Sequence, residues 1–196
     1  QGVRGISLGD GDRAISMTIL EHVEATPAER AAYLRRAAAE RRAALAEAGE
    51  AEEEVALTNE EVGEEAELSD ERYEYLRARE QMVLTVTEFG YGKRSSSYDF
   101  RVIGRGGKGI RATDTSKVGE IGRLVAGFPV ADEDQIMMVS DGGQVIRVPV
   151  NGIRIASRAT KGVTIFNTAK DEKVVSVERI SEPSGEEEEE AAANET

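Results

Sequence analysis

The chain has 196 residues, 39% hydrophobic content, no cysteine and a formal net charge of -13. That length allows one or two domains with a modest core, and the absence of cysteine excludes a disulfide scaffold, a thiolate metal site and a cysteine nucleophile, which fits a reducing compartment. No apolar run approaches the roughly 18 residues of a membrane helix and no signal-peptide pattern opens the chain, whose Gln1 start reads as a segment of a longer protein.

The charge is unevenly spread. Residues 21–80 carry 8 basic and 18 acidic groups, and residues 181–196 carry seven glutamates and nothing basic. Residues 81–180 carry 15 basic and 11 acidic groups, so the body between the two acidic segments is mildly basic.

In chain order, GVRGISL opens the sequence and is followed by the acidic segment. Thr26, Pro27 and Glu29 supply an N-cap, a first-turn proline and a capping-box glutamate, so a helix is expected to run from there to Gly49. A second helix start lies at Ser69, with Asp70 and Glu71 in its first turn. The glutamate-rich stretch between them lacks periodicity and reads as a mobile linker in a protruding helical hairpin.

The segment RVIGRGGKGI, 101–110, contains G-x-G-x-x-G at Gly104, Gly106 and Gly109. A phosphate-cradling loop of that type needs a helix N-terminus directly after it. IRATDTSKVGEIG has no helical apolar period, and Gly109 follows Lys108 where a Walker loop needs Ser or Thr, so no nucleotide site is expected. Four short strands are expected per unit, at 109–113, 121–127, 135–140 and 144–150, with a tight hairpin turn at Asp141, Gly142 and Gly143. The tail EPSGEEEEEAAANET reads as disordered polyanion, able to compete with another polyanion for a basic surface.

The basic body repeats. At an offset of 53 residues, VTEFGYGKR (86–94) falls on VSDGGQVIR (139–147) and FRVIGRGGKG (100–109) falls on IRIASRATKG (153–162). Gly90, Arg94, Arg101, Arg105, Lys108 and Gly109 thus match Gly143, Arg147, Arg154, Arg158, Lys161 and Gly162, while Arg4 and Gly5 repeat Lys108 and Gly109. The acidic helical stretch is an insertion into one repeat. A period near 50 residues with four antiparallel strands per unit indicates propeller blades, too few here to close a ring, so open strand edges are expected. Val86, Val139, Ile110 and Val163 are the expected blade core.

The fold class expected is all-β: a partial β-propeller or β-pinwheel of about two and a half four-stranded blades, with an inserted helical hairpin and a disordered acidic tail. The division is first strands 1–20, insertion 21–80, remainder of the first blade 81–108, second blade 109–161, half blade 162–181 and tail 182–196.

The unit G-x-[RK]-G-[IV], with VTEFGYGKR and GRGGKGI at this separation, closely resembles the C-terminal domain of the DNA gyrase A protein, and related units occur in topoisomerase IV. The resemblance covers residues 1–20 and 80–181. It implies a six-bladed β-pinwheel with strands exchanged between blades and duplex DNA wrapped on a basic rim, serving ATP-dependent negative supercoiling. It further implies an A2B2 assembly with the gyrase B protein and the rest of the gyrase A protein, ATP and Mg2+ handled through the B protein, no cofactor or metal in this chain, and a cytoplasmic, nucleoid-associated location without a membrane. The family's catalytic tyrosine lies in a region this chain lacks, since none of Tyr33, Tyr73, Tyr75, Tyr91 or Tyr98 sits in a matching motif. The Q-x-R-G-G-x-G box that marks gyrase against topoisomerase IV is absent, which leaves topoisomerase IV open. A propeller-type protein-interaction module is the other alternative.

Repeated phosphate contacts need Lys and Arg at regular intervals along a curved surface. The expected DNA contacts are Arg4; Lys93, Arg94, Arg101, Arg105 and Lys108 in one blade; and Arg147, Arg154, Arg158 and Lys161 in the next.

Overall fold

Two antiparallel sheets pack on one apolar core in the computed structural model, which describes residues 2–49 and 67–181. The first sheet is built on the hairpin of β1 (Met82–Thr87) and β2 (Tyr91–Ser96), flanked by β3 (Leu124–Val130) and β6 (Val163–Thr164) in the order β3-β1-β2-β6. The second is built on β4 (Gln135–Ser140) and β5 (Val145–Pro149), with β7 (Val174–Ile180) outside β4. The 53-residue offset carries β1 onto β4 residue for residue. Strands β3 and β7 occupy corresponding places, because Met82 pairs with Val130 and Gln135 with Ile180.

Strand exchange is visible in β6, which follows the second hairpin in sequence but pairs with β2 of the first, Gly92 opposite Val163. Among the described residues β5 has no strand on its outer edge, so the second sheet has three strands where the first has four. The core between the sheets contains Leu84, Val86, Ile136, Met138, Val150, Phe166 and Val174. Val86 is core as expected, whereas Val139, Ile110 and Val163 are half-buried.

The insertion contributes helices α1 (Pro27–Glu47) and α2 (Asp70–Arg77). Thr26 closes a full capping box with Glu29, and Ser69 caps α2 through the Arg72 amide. A second, smaller core of Tyr33, Ala37, Tyr73, Leu76 and Tyr98 seats the pair on the first blade. The expected linker lies largely at 50–66 and the expected tail at 182–196, both outside the described residues.

The expected strand at 109–113 does not form. Residues 101–114 are irregular, and a 3-10 turn at Thr115–Lys117 and the one-turn helix α3 (Val118–Ile121) follow, so the strand expected at 121–127 starts three residues later, at Leu124–Val130. By the repeat, Ile110 and Arg111 correspond to β6, whose partner is an earlier hairpin. No such hairpin stands beside them among the described residues. Residues 2–20 also lack a strand, and Ile15, Met17 and Ile19 are exposed in the alternating pattern of an unpaired strand face.

Candidate nucleic-acid interface

The hairpin β1-β2 is buried on both faces because its outer edge is occupied by the chain leaving the second blade. The Arg94 amide donates to the Arg154 carbonyl at 2.9 Å, and the Ala156 amide donates to the Arg94 carbonyl at 2.8 Å. Side chains from the same strand reinforce this seam. Arg94 donates from Nε to the Ile153 carbonyl (2.7 Å) and from Nη2 to the Asn151 carbonyl (3.1 Å), and it pairs with Asp132 through Nη1. Lys93 reaches across the turn at 157–160, where its Nζ donates to the carbonyls of Arg158 and Thr160.

Asp99 holds the other side of that turn. One carboxylate oxygen accepts from the Arg158 amide (2.7 Å) and the Ser157 hydroxyl (3.1 Å), while the Arg158 guanidinium donates to the Asp99 and Arg111 carbonyls, each at 3.0 Å. Lys93, Arg94 and Arg158 are therefore corrected as expected rim contacts. They are 1%, 6% and 7% exposed, and their charged heads are engaged between consecutive units. Burial pushes the Lys93 ammonium down to about 7, a fall that Asp99 and Asp114 partly offset and Arg158 reinforces.

The recurrence of basic residues in the sequence therefore mixes two jobs. Arg94 and Arg147 share a register position, yet Arg147 is exposed because no chain covers the outer edge of β5 among the described residues. Arg105 is exposed where its counterpart Arg158 turns inward, and Arg101 is exposed where Arg154 is half-buried. A register position outside the expected contacts, Arg13, Lys117 and Lys170, is basic and exposed in all three copies; among the expected contacts, the position exposed in all three is Arg4, Lys108 and Lys161.

That position precedes a glycine whose geometry is demanding. Gly162 has φ of +80°, as Gly109 has +81°, and a Cβ on Gly162 would stand 2.5 Å from the Gly92 carbonyl oxygen. A side chain is excluded there both by conformation and by the backbone behind it. The chain just after the Lys161 cation thereby lies close against the β2 backbone. Lys161 meets Glu120 at 2.7 Å and lies 5.7 Å from the Tyr91 ring centroid. Hydrogen bonding to Lys161 holds the Glu120 carboxyl below its ordinary range.

The structure also brings Arg4 to the 101–110 loop. The Gly106 amide donates to the Gly5 carbonyl and the Ser7 amide to the Gly107 carbonyl, both at 2.9 Å. Sequence comparison of repeats missed Arg111, Lys117 and Arg123, which are exposed along the same 101–123 segment. That segment holds six basic and two acidic residues, a local excess legible from composition alone. The glycine fingerprint within it is followed by no helix before Val118, so it has no phosphate-cradling context.

A family model described as the DNA gyrase C-terminal domain, a beta-propeller, matches residues 1–21, 81–130 and 134–181. The chain is 50% identical over 179 residues to the DNA gyrase A protein of Granulibacter bethesdensis, covering 90% of this chain and 19% of that protein. It is 39% identical over 190 residues to the DNA gyrase A protein of Rickettsia bellii, covering 97% of this chain and 20% of that protein. Both alignments are longer than all of this chain outside residues 21–80, so they extend into the insertion. The chain spans about a fifth of the length of these relatives. In fold it is similar to the crystal structure of the C-terminal domain of DNA topoisomerase IV, with a TM-score of 0.51, 19% identity, and coverage of 59% of this chain and 35% of that one. No helix among the described residues is long and apolar enough to cross a membrane.

Proposed function

The chain belongs to the DNA gyrase C-terminal domain family, and from that premise we propose that it binds and wraps duplex DNA as a non-catalytic part of a type II topoisomerase. The observation that carries the proposal is the register position Arg4, Lys108 and Lys161, a cation exposed in all three copies. It presents one exposed cation per unit, each directly before a glycine. Each phosphate neutralised releases condensed counterions, so a row of such contacts favours a duplex that follows the row.

The buried basic residues contribute by fixing the spacing. Lys93, Arg94 and Arg158 tie one unit to the next through backbone carbonyls, and a rigid interval between cations lets the duplex be bent without the protein yielding. Bending a site of 20–30 base pairs by 40–90° costs on the order of 1–6 kcal/mol, which several phosphate contacts can supply. A wrapped duplex presents a second segment to a cleavage gate with fixed crossing sign, the step that negative supercoiling requires. In that assembly this chain joins the remainder of a gyrase A protein and a gyrase B protein, and ATP and Mg2+ belong to the B protein.

Binding of the chain to duplex DNA across a salt series tests this reading. A linear fall of log affinity with log salt is expected, shallower by about 0.9 for each of Lys108→Gln and Lys161→Gln. Salt-independent or absent binding by the folded chain would overturn it in favour of a protein-interaction module.

A further inference from the structure

The insertion as a whole is acidic, but α1 is not: it holds five arginines and three glutamates. Two of the glutamates are turned to α2. Glu29 pairs with Arg72 at 2.8 Å, and Glu40 accepts from the Tyr73 hydroxyl at 2.7 Å and from Arg36 at 3.1 Å. Arg36 is committed on the same side, to Asp70 at 2.7 Å and over the Tyr73 ring at 4.0 Å.

At about 100° per residue, Arg30, Arg35, Arg41 and Arg42 fall on the half of the helix opposite Glu29, Arg36 and Glu40. None of the four joins a salt bridge among the described residues. Arg42 is exposed and the other three are half-buried, which suits stems lying on the helix with heads in water. From Arg30 to Arg42 the rise is ~18 Å, the length of about five base pairs.

This face is held in place. The Tyr33 ring packs 5.2 Å from Tyr98 and 5.1 Å from Tyr73, the Tyr33 hydroxyl donates to Glu80 at 2.8 Å, and the Tyr98 hydroxyl donates to the Leu76 carbonyl at 2.8 Å. Tyr98 stands three residues before Arg101, where the basic 101–123 segment begins. The helix therefore stands at the end of the first blade from which that segment departs.

We propose that α1 is a second duplex-binding face, in which Arg30, Arg35, Arg41 and Arg42 contact DNA phosphates beside the repeated cations of the blades. This rests on the DNA-binding reading above. Charge complementarity selects the occupant: four arginines without salt bridges among the described residues, at intervals of five, six and one residues, match a long, regular polyanion lying along the helix. The insertion thereby lengthens the wrapped path at one blade.

The test compares DNA affinity across a salt series for the full chain, for the fourfold variant of these arginines to Gln, and for the single charge reversal Arg42→Glu, whose exposed site leaves the fold intact. The fourfold variant is expected to bind at least tenfold more weakly at low salt, with a slope shallower by about 2 to 4; Arg42→Glu is expected to weaken binding several-fold. Because the chain has no cysteine, Arg42→Cys also provides a unique thiol for a tethered iron chelate, which is expected to cut bound DNA locally. A parent chain that binds with a steep slope, alongside arm variants with unchanged affinity and slope and no cutting from position 42, would overturn this proposal alone. Tighter DNA binding after deletion of residues 50–66, with the fourfold variant still equal to the parent, would also overturn it, by assigning the face to that acidic segment. Failure of the folded parent to bind DNA would overturn both readings.

Discussion

Lys93 makes the burial of a predicted surface cation directly measurable. Its ammonium is pushed from an ordinary 10.5 down to about 7 because it lies inside the seam between units. Below about pH 7 the folded and unfolded chains both hold the proton, and the cost of burying the charge is fully present. Between about pH 7 and 10.5 the unfolded chain keeps a proton that the folded chain has released, so stability rises with pH. At about 1.36 kcal/mol per pKa unit the full rise is about 5 kcal/mol, a large part of a typical domain's stability. Lys93→Met removes that titration and leaves the carbonyls of Arg158 and Thr160 without their donor, at about 1–3 kcal/mol for each. Near pH 7 the two effects offset, so variant and parent are expected to have similar urea midpoints. At pH 10 the variant is expected to be weaker by several kcal/mol. Far-UV circular dichroism during urea titration at pH 7, 8.5 and 10 reads both chains, and tyrosine ionisation, common to both, cancels in the difference. Parallel stability curves for the two chains would refute the reasoning.

Other substitutions probe separate parts of the account. Gly90→Ala forces a side chain onto a residue with φ of +75°, where its Cβ would stand 1.9 Å from the Phe166 carbonyl oxygen; a loss of more than ~2 kcal/mol by urea denaturation is expected. Glu120→Gln releases Lys161 from its ion pair, and fluorescence anisotropy should show duplex binding tightened a few-fold at low salt. Replacing Ile15, Met17 and Ile19 by Ser removes an exposed apolar strand face and should shift the sedimentation profile of the isolated chain toward monomer. Deleting residues 182–196 removes seven glutamates, so equilibrium titration should show tighter DNA binding, most clearly at low salt.

Much of the architecture was legible because the repeat copies apolar alternation along with charge. β1 and β4 coincide at the 53-residue offset, and the hairpin turns place Gly90 and Gly143 at positive φ in both copies. The caps at Thr26 and Ser69 were equally readable, since each is a local hydrogen bond between a short polar side chain and a nearby amide. The strand expected at 109–113 failed for a nonlocal reason: its register partner β6 is a strand only by pairing with a hairpin from another unit.

The basic site was half legible for a similar reason. Repetition cannot distinguish an arginine kept for phosphates from one kept for carbonyls of the next unit, and Arg94 and Arg158 are of the second kind. One signal was present for Lys93. Its register partner is Ile146, which is half-buried on β5 and marks the position as inward-facing. Exposure across all copies, which needs the structure, is what separates Arg4, Lys108 and Lys161 from the other expected contacts.

Linking number measures wrapping more directly than affinity does. A nicked circular plasmid ligated while saturated with the full chain should close with a shifted linking number, and Arg4→Gln, Lys108→Gln and Lys161→Gln together should abolish most of that shift while leaving the thermal unfolding midpoint unchanged. A parent chain that saturates the plasmid yet leaves its linking number unmoved, or a triple variant that shifts it as fully as the parent, would contradict the claim that these in-register cations guide a wrapped duplex.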